Sequence, residues 1–432
     1  MQNITRRNFV KAASVTGAAI SSFNILGAQT VGGLKTNKIK VGLIGCGGRG
    51  TGALKNFLEA AKLLGIETEV VAVADAFKDQ VDGALNKFEF DASLGHYGFD
   101  AYHKVAASDA EVVLMATPPN FRPVHFKACV EAGKHCFIEK PVAVDPPGIR
   151  SIMETGKLAE KKGLSVVAGT QRRHQKNYQE MIAQVRAGAI GEVVGGAIYW
   201  NMGTLWTAIR KPGMSNAEFI ARNWLNFTEL SGDHIVEQHV HQMDVMNWIM
   251  GRPPRAFIGY GGCARRDIAG GNQFDFFNID LDYGEGIHIH SQSRQIADCY
   301  NRVGETFRGT EGYTNGPRTF GKDVDIKPIE VQHSAGMIQE HVDLLKSIRG
   351  KGDPINRSHE VAEATMCAIG GRISAYTGKL VRWSDLTSNE KSDYYNLTLA
   401  PRAIDFEKGD VEMPSLEPAV PGAKKEWKVR NA

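Results

Sequence analysis

No two of the six cysteines (Cys46, Cys129, Cys136, Cys263, Cys299 and Cys367) are spaced C-x-x-C, and three fall inside apolar segments. That pattern reads as structural thiols and argues against a zinc site built from them. Long basic runs are equally missing. The net charge of +3 is spread along 432 residues, without the concentrated positive patch that nucleic acid or a membrane surface requires. After the N-terminal segment no uncharged apolar run is long enough to span a bilayer, and no internal repeat appears. What is present, 42% hydrophobic and 23% charged residues, has the balance of an ordinary globular protein with length for two packed cores.

The most informative stretch is Gly45-Cys46-Gly47-Gly48-Arg49-Gly50. An apolar run from Ile39 to Ile44 empties into it, and a helical pattern over about 51–64 follows. Strand, G-x-G-x-x-G and helix in that order form a pyrophosphate cradle. The first glycine permits the turn, the second lets the backbone approach the phosphates, and the third packs the helix on the strand. A second apolar strand, 69–74, closes on Asp75, where a carboxylate binds ribose hydroxyls and repels a 2′-phosphate. The expected cofactor is therefore NAD rather than NADP, although Arg49 and Lys78 lie near enough in sequence to accept a phosphate.

Residues 1–30 read as a leader. Thr5-Arg6-Arg7-Asn8-Phe9-Val10-Lys11 carries twin arginines ahead of a small-residue, mildly apolar stretch from Ala12 to Ala28. This is the pattern of a twin-arginine export signal. It implies the twin-arginine export machinery as a partner and a periplasmic destination. Because that route carries folded proteins, the dinucleotide is expected to travel inside, tightly bound.

From 36 to 170 short apolar runs alternate with helical ones, which predicts an α/β domain on a parallel sheet. Its strands are read at 112–116, 136–138 and 164–168, its helices at 121–132 and 147–162. From 171 to 335 the period changes to two. Phe277, Ile279, Leu281 and Tyr283 interleave with polar residues, and beyond Gly284-Glu285-Gly286 a return strand sets Ile287 and Ile289 between histidines. That is a hairpin in an α+β domain with one apolar sheet face. Helices at 337–349 and 358–376 fill 336–385, the second expected to pack back on the nucleotide domain. Residues 386–432, polar and proline-bearing, read as an extended tail.

Ligands meet open parallel sheets at the carboxyl ends of strands, which singles out Thr117, Pro118, Asn120, Glu139 and Lys140. Lys140 suits proton transfer or alkoxide stabilisation. The second cluster is Gly232 to Asp244. If helical, it sets Glu237, His241 and Asp244 on one face, with His239 elsewhere; a carboxylate one turn away would orient a histidine base. If extended, Glu237, His239 and His241 offer metal ligands, too few convergent ones for a zinc site, and no metal is expected. Arg222 and Trp224, in Arg222-Asn223-Trp224, offer polar contacts and a sugar-stacking ring.

Together these motifs resemble the glucose–fructose oxidoreductase, inositol dehydrogenase and rhizopine catabolism (Gfo/Idh/MocA) family. The carriers are the glycine loop, Thr117-Pro118-x-Asn120 with His125, Gly133-Lys134-His135-x-x-x-Glu139-Lys140-Pro141, and the 232–244 segment. The resemblance implies a Rossmann domain joined to a large, open, mainly antiparallel sheet, assembled as a homo-oligomer, dimer or tetramer. It implies Lys140 and His241 as catalytic residues, with Glu237 where many members carry aspartate. Cofactor contacts would come from Gly45, Cys46, Gly47, Gly48, Arg49, Gly50, Asp75, Thr117, Pro118, Asn120, His125, Glu139, Lys140, and Gln171 or Arg172. His239 stands where glycine is common, so with Glu237 it reshapes the substrate pocket. The implied activity is NAD-dependent oxidation of a hydroxyl on a carbohydrate, glycoside or polyol. Two alternatives remain: a redox-neutral glycosidase with one bound dinucleotide, and a non-catalytic sugar or dinucleotide sensor.

Overall fold

Strands that are apolar on both faces, separated by helices, leave a chain little choice but a sheet buried between helical layers. The computed structural model describes residues 37–264, 270–350 and 354–422; the twin-arginine segment and residues 423–432 of the tail lie outside them. The first sheet runs β1 (Lys38–Ile44), β2 (Glu67–Asp75), β3 (Gly95–Tyr97), β4 (Val112–Met115), β5 (His135–Ile138) and β6 (Val166–Ala168). Their order is β3-β2-β1-β4-β5-β6, with every pairing parallel. The order reverses between β1 and β4, which opens a crevice at their carboxyl ends. Helices α1 (Gly48–Leu63), α2 (Lys78–Phe88), α3 (Tyr102–Ala107), α4 (Arg122–Glu131) and α5 (Pro146–Lys161) make the crossovers. α1 starts three residues before the sequence pattern does, because Gly48, Arg49 and Gly50 wind into its first turn and Thr51 N–H bonds Gly47.

The second sheet comprises β7 (Val193–Met202), β8 (Ala256–Gly262), β9 (Phe276–Gly284), β10 (Ile287–Gln295), β11 (Arg302–Gly309), β12 (Tyr313–Asn315), β13 (Thr319–Phe320) and β14 (Val381–Arg382). Its order is β13-β12-β11-β7-β10-β9-β8-β14, and only the β7–β10 pair is parallel. The expected hairpin is β9–β10, with Ile279 opposite Ser291. Phe277, Ile279, Leu281 and Tyr283 are buried on the inner face, while Ile258 and Tyr260 are exposed. Between the sheets' segments lie α6 (Lys176–Arg186), α7 (Asn216–Arg222), α8 (Thr228–Ser231), α9 (His234–Glu237) and α10 (Val240–Met250); beyond the second sheet's main body come α11 (Gly336–Ile348), α12 (Ser358–Thr377), α13 (Trp383–Thr387) and α14 (Ala403–Lys408).

The structure refines three expectations. The 232–244 segment is neither one helix nor extended: it breaks at Gln238–His239 between α9 and α10. Both late helices rest on the nucleotide domain, α11 against α1 and α12 against α5, and α12 also packs on α10 and β8. The tail is docked rather than free. Leu397, Leu399, Ala403, Phe406 and Val411 are buried, and the last three join Phe121, Phe219 and Phe227 in one apolar cluster. A handful of apolar residues at irregular spacing shows no period, so nothing in the pattern announces that docking.

Candidate active site

The glycine loop closes as its spacing requires. Gly45 has φ +95°, and a Cβ there would lie 2.8 Å from the Ala116–Thr117 backbone. A Cβ on Gly50 would lie 1.7 Å from the Gly45 carbonyl oxygen. Gly47 caps α1 without a side-chain bond, the first turn carries no acidic residue, and a Cβ on Gly48 would meet nothing within 4 Å. The first-turn amides are thus open toward a cleft of about 1230 Å3, lined among others by Gly47, Asp75, Phe77, Thr117, Trp206 and Arg222. Open amides at a positive helix end fit a pyrophosphate, so these residues suit a dinucleotide.

Asp75 ends β2 at this cleft. Its Oδ2 accepts from Cys46 N–H at 2.8 Å and its Oδ1 from Phe77 N–H at 3.0 Å. Burial raises its pKa against those two bonds. Cys46 itself is buried in the loop, its thiol pushed up by burial and then by Asp75. Thr117 and Pro118 line the cleft, and the Thr117 hydroxyl meets His125 Nδ1 at 3.1 Å. Burial pushes His125 down to about 3, so its imidazole is neutral.

Glu139 and Lys140 follow β5. Glu139 is buried and takes Arg49 Nε at 3.1 Å, and Gly169 leaves room for its carboxylate, since a Cβ there would fall 2.4 Å from Oε2. Beside it Glu340 is fully buried; burial first and Glu139 second raise its pKa well above the usual carboxylate range. Lys140 reaches across to the second domain. Its Nζ donates to the Glu237 backbone carbonyl and, at 2.9 Å, to Glu237 Oε1. Four residues on, the His241 imidazole lies within the field of Lys140, Arg172 and Arg49. Burial first, then those cations, hold its pKa well below the ordinary histidine value. Lys140 is thus brought from 97 positions away to Glu237 and into the surroundings of His241.

The other expected residues have these partners. Asp244 is committed to Arg173, both Oδ atoms at 2.9 Å from Nε, so it does not orient His241. His239 is fully buried and meets Ser291 Oγ at 2.9 Å under the sheet, which makes it a packing residue rather than a substrate contact. Asn120 spends its amide on the carbonyls of Glu229 (2.7 Å) and Pro401 (3.0 Å); it ties the tail down instead of facing the cleft. Arg222 joins Asp79 at the start of α2 (2.8 and 3.0 Å) and lies 4.0 Å over the Phe77 ring. Trp224 stands edge-on to Trp206 in the cleft wall. Both belong to the cleft's Asp75 side, because an arginine finds a carboxylate and an aromatic face there. Gln171 opens the short turn Gln171–His174, and Arg172 in it pairs with buried Glu305 of β11 at 3.6 Å. Among the described residues no cluster of histidine, cysteine or carboxylates could hold a metal.

Sequence reasoning missed Arg122, Glu305, Trp206 and Trp200. Buried Arg122 donates to the carbonyls of Thr117 and Pro141, joining the two strand-end loops. Trp200 stacks on His241, ring centroids 5.6 Å apart at 25°. The one available signal for Trp200 was its place in the alternating run of β7.

Comparison with known proteins agrees with this fold. Residues 39–170 match the family model described as "Oxidoreductase family, NAD-binding Rossmann fold", GFO_IDH_MocA. A glycosyl hydrolase family 109 protein of Shewanella amazonensis is 29% identical over 214 residues, 45% of this chain and 46% of that one. Inositol 2-dehydrogenase of Pseudomonas syringae is 27% identical over 212 residues, 49% of this chain and 54% of that one. The chain thus spans about half the length of the curated relatives it matches. Scyllo-inositol dehydrogenase from Lactobacillus casei, solved with NAD(H) and scyllo-inositol, superposes with a TM-score of 0.61 at 18% identity, covering 80% of this chain and 99% of that one; at that identity the likeness is one of fold. Residues 39–170 are thus similar to the NAD-binding domain of Gfo/Idh/MocA oxidoreductases.

Proposed function

We propose that this Gfo/Idh/MocA-type chain is an NAD-dependent oxidoreductase that oxidises a hydroxyl of a carbohydrate, glycoside or polyol, with conversion of a glycoside to a keto-glycoside the favoured case. The observation that carries the reading is the meeting of Lys140, fixed by Glu237, with a neutral His241 beyond the glycine loop. A bound dinucleotide supplies the hydride acceptor. His241, neutral at working pH, accepts the hydroxyl proton. The Lys140 ammonium, held in place by two acceptors on Glu237, donates toward the oxygen on which negative charge develops. Asp75 favours NAD over NADP because its carboxylate at the ribose end repels a second phosphate. Tight retention of the cofactor is supported by the Arg222–Asp79 bridge across the cleft wall. Export by the twin-arginine route, a periplasmic site of action and homo-oligomer formation complete the proposal.

The test is a screen of mono- and disaccharides that follows nicotinamide absorbance and free sugar together. Lys140→Ala and His241→Ala should each lower turnover by about a hundredfold or more; full activity in both variants removes the mechanism. A second reading, the redox-neutral glycosidase, is favoured by the family 109 relative. Free sugar released without net change in dinucleotide absorbance selects it.

A further inference from the structure

A histidine that acts as a base is ordinarily held by a carboxylate on its second nitrogen, which fixes the ring's plane and tautomer. His241 has no such partner. The nearby carboxylates are spent: Glu237 on Lys140 and Gln238, Asp244 on Arg173, and Glu305 on Arg172 and Tyr178. Among the described residues neither ring nitrogen of His241 has a hydrogen-bond partner, whereas neighbouring His234 bonds Ser293 and His239 bonds Ser291. What His241 does have is an aromatic face. The Trp200 indole lies against it, 5.6 Å between centroids and 25° from parallel.

Trp200 is well placed to hold that ring. It sits mid-sheet on β7, with Ser293 of β10 on one side and Val303 of β11 on the other, so its own backbone is fixed by two neighbouring strands. His241, in the first turn of α10, is 7% exposed.

We infer that Trp200 is the positioning residue for His241: its indole sets the imidazole plane and shields the ring from water, the task a carboxylate performs in other histidine bases. This rests on the reading of His241 as the base. An aromatic face also has a chemical advantage over a carboxylate here. Lys140, Arg172, Arg49 and His239 all face His241 and oppose its protonation. The indole covers the ring without engaging either nitrogen, so both stay free for substrate.

The test compares Trp200→Ala, Trp200→Leu and Trp200→Phe with His241→Ala. The measurements are kcat and KM against pH, and an NMR titration of the His241 ring in the purified protein, assigned by its loss in His241→Ala. His241 must be neutral to act, and burial is the largest cause of its lowered pKa. Admitting water therefore raises that pKa toward about 6.5, and the acid limb of activity moves to higher pH. Trp200→Ala and Trp200→Leu should show this movement, in kinetics and in the NMR titration alike, with kcat lowered about tenfold. Trp200→Phe, which keeps a ring face, should restore most of both. Trp200→Leu covers the case in which the alanine variant fails to fold. An unchanged His241 titration and kcat in the leucine variant overturn the inference, as does an effect confined to KM. If His241→Ala itself retains turnover, the reading of His241 fails instead, and the NMR titration still reports whether Trp200 governs the ring.

Discussion

Replacing Gly50 by alanine puts the glycine loop to a direct test. The added methyl would stand 1.7 Å from the Gly45 carbonyl oxygen and 2.8 Å from its carbon. Both are backbone atoms, so no side chain can turn aside. Carbon–oxygen contacts settle at about 3.3 Å or more, and the turn must open by roughly the difference. It has little slack on its far side, where even a Cβ on Gly45 would fall 2.8 Å from the Ala116–Thr117 backbone. Helix propensity pulls the other way, since alanine is better than glycine inside a helix by about 1 kcal/mol. A net loss therefore reports the clash. We expect a stability loss of about 1–3 kcal/mol and, because the first-turn amides move with the turn, a fall in NAD affinity of about a hundredfold, or ~2.7 kcal/mol. Urea unfolding and calorimetric titration with NAD measure the two quantities. Gly48→Ala is the control for the fold, since a methyl there meets nothing within 4 Å. A Gly50→Ala protein that unfolds and binds NAD like the wild type would refute the account of the loop.

Two further expectations concern the region under the tail. Glu229 is buried, and burial, partly opposed by the Asn272 amide, pushes its pKa up to about 7. Between about pH 4.5 and 7 the folded state thus keeps a proton that the unfolded state releases, and stability falls as pH rises through that window. Glu229→Gln retains an oxygen for Asn272 Nδ2, now 3.0 and 3.1 Å from the two carboxylate oxygens. Its melting should match the wild type near pH 4 (about the lower end of the window) and exceed it above pH 7 by up to about 3 kcal/mol; a difference independent of pH rejects the assignment. Phe406 is 2% exposed, with Phe121 at 5.0 Å and Phe99 at 5.1 Å between centroids. Phe406→Ala should cost about 3–5 kcal/mol in urea unfolding, and a change below about 1 kcal/mol would mean the tail is not docked in solution.

What the sequence made legible was whatever repeats with a period or recurs at a fixed spacing. Alternation between buried strands and helices marked the parallel sheet. Two-residue alternation marked the β9–β10 hairpin, and the glycine spacing located the loop to the residue. Lys140 was visible because a strand end on an open sheet is where ligands lie. Side-chain commitments were hidden. Nothing in the order of residues says that Asp244 will be taken by Arg173, that Asn120 will hold the Pro401 carbonyl, or that Arg222 will prefer Asp79. Those choices are made by tertiary neighbours 71 to 281 positions away. The break at Gln238–His239 was equally hidden, because both possible periods fit the segment and tertiary packing decided against each.

The cluster formed by Phe121, Phe219, Phe227 and Phe406 has a consequence for how the molecule is made. Phe121 comes from the first lobe, Phe219 and Phe227 from the second, and Phe406, which locks them, follows the last strand of either sheet in the chain. A nascent chain can complete both sheets and still leave this aromatic seam gaping. A chain stopped between β14 and Phe406 would hold every strand of both sheets and still expose one greasy, unsealed patch.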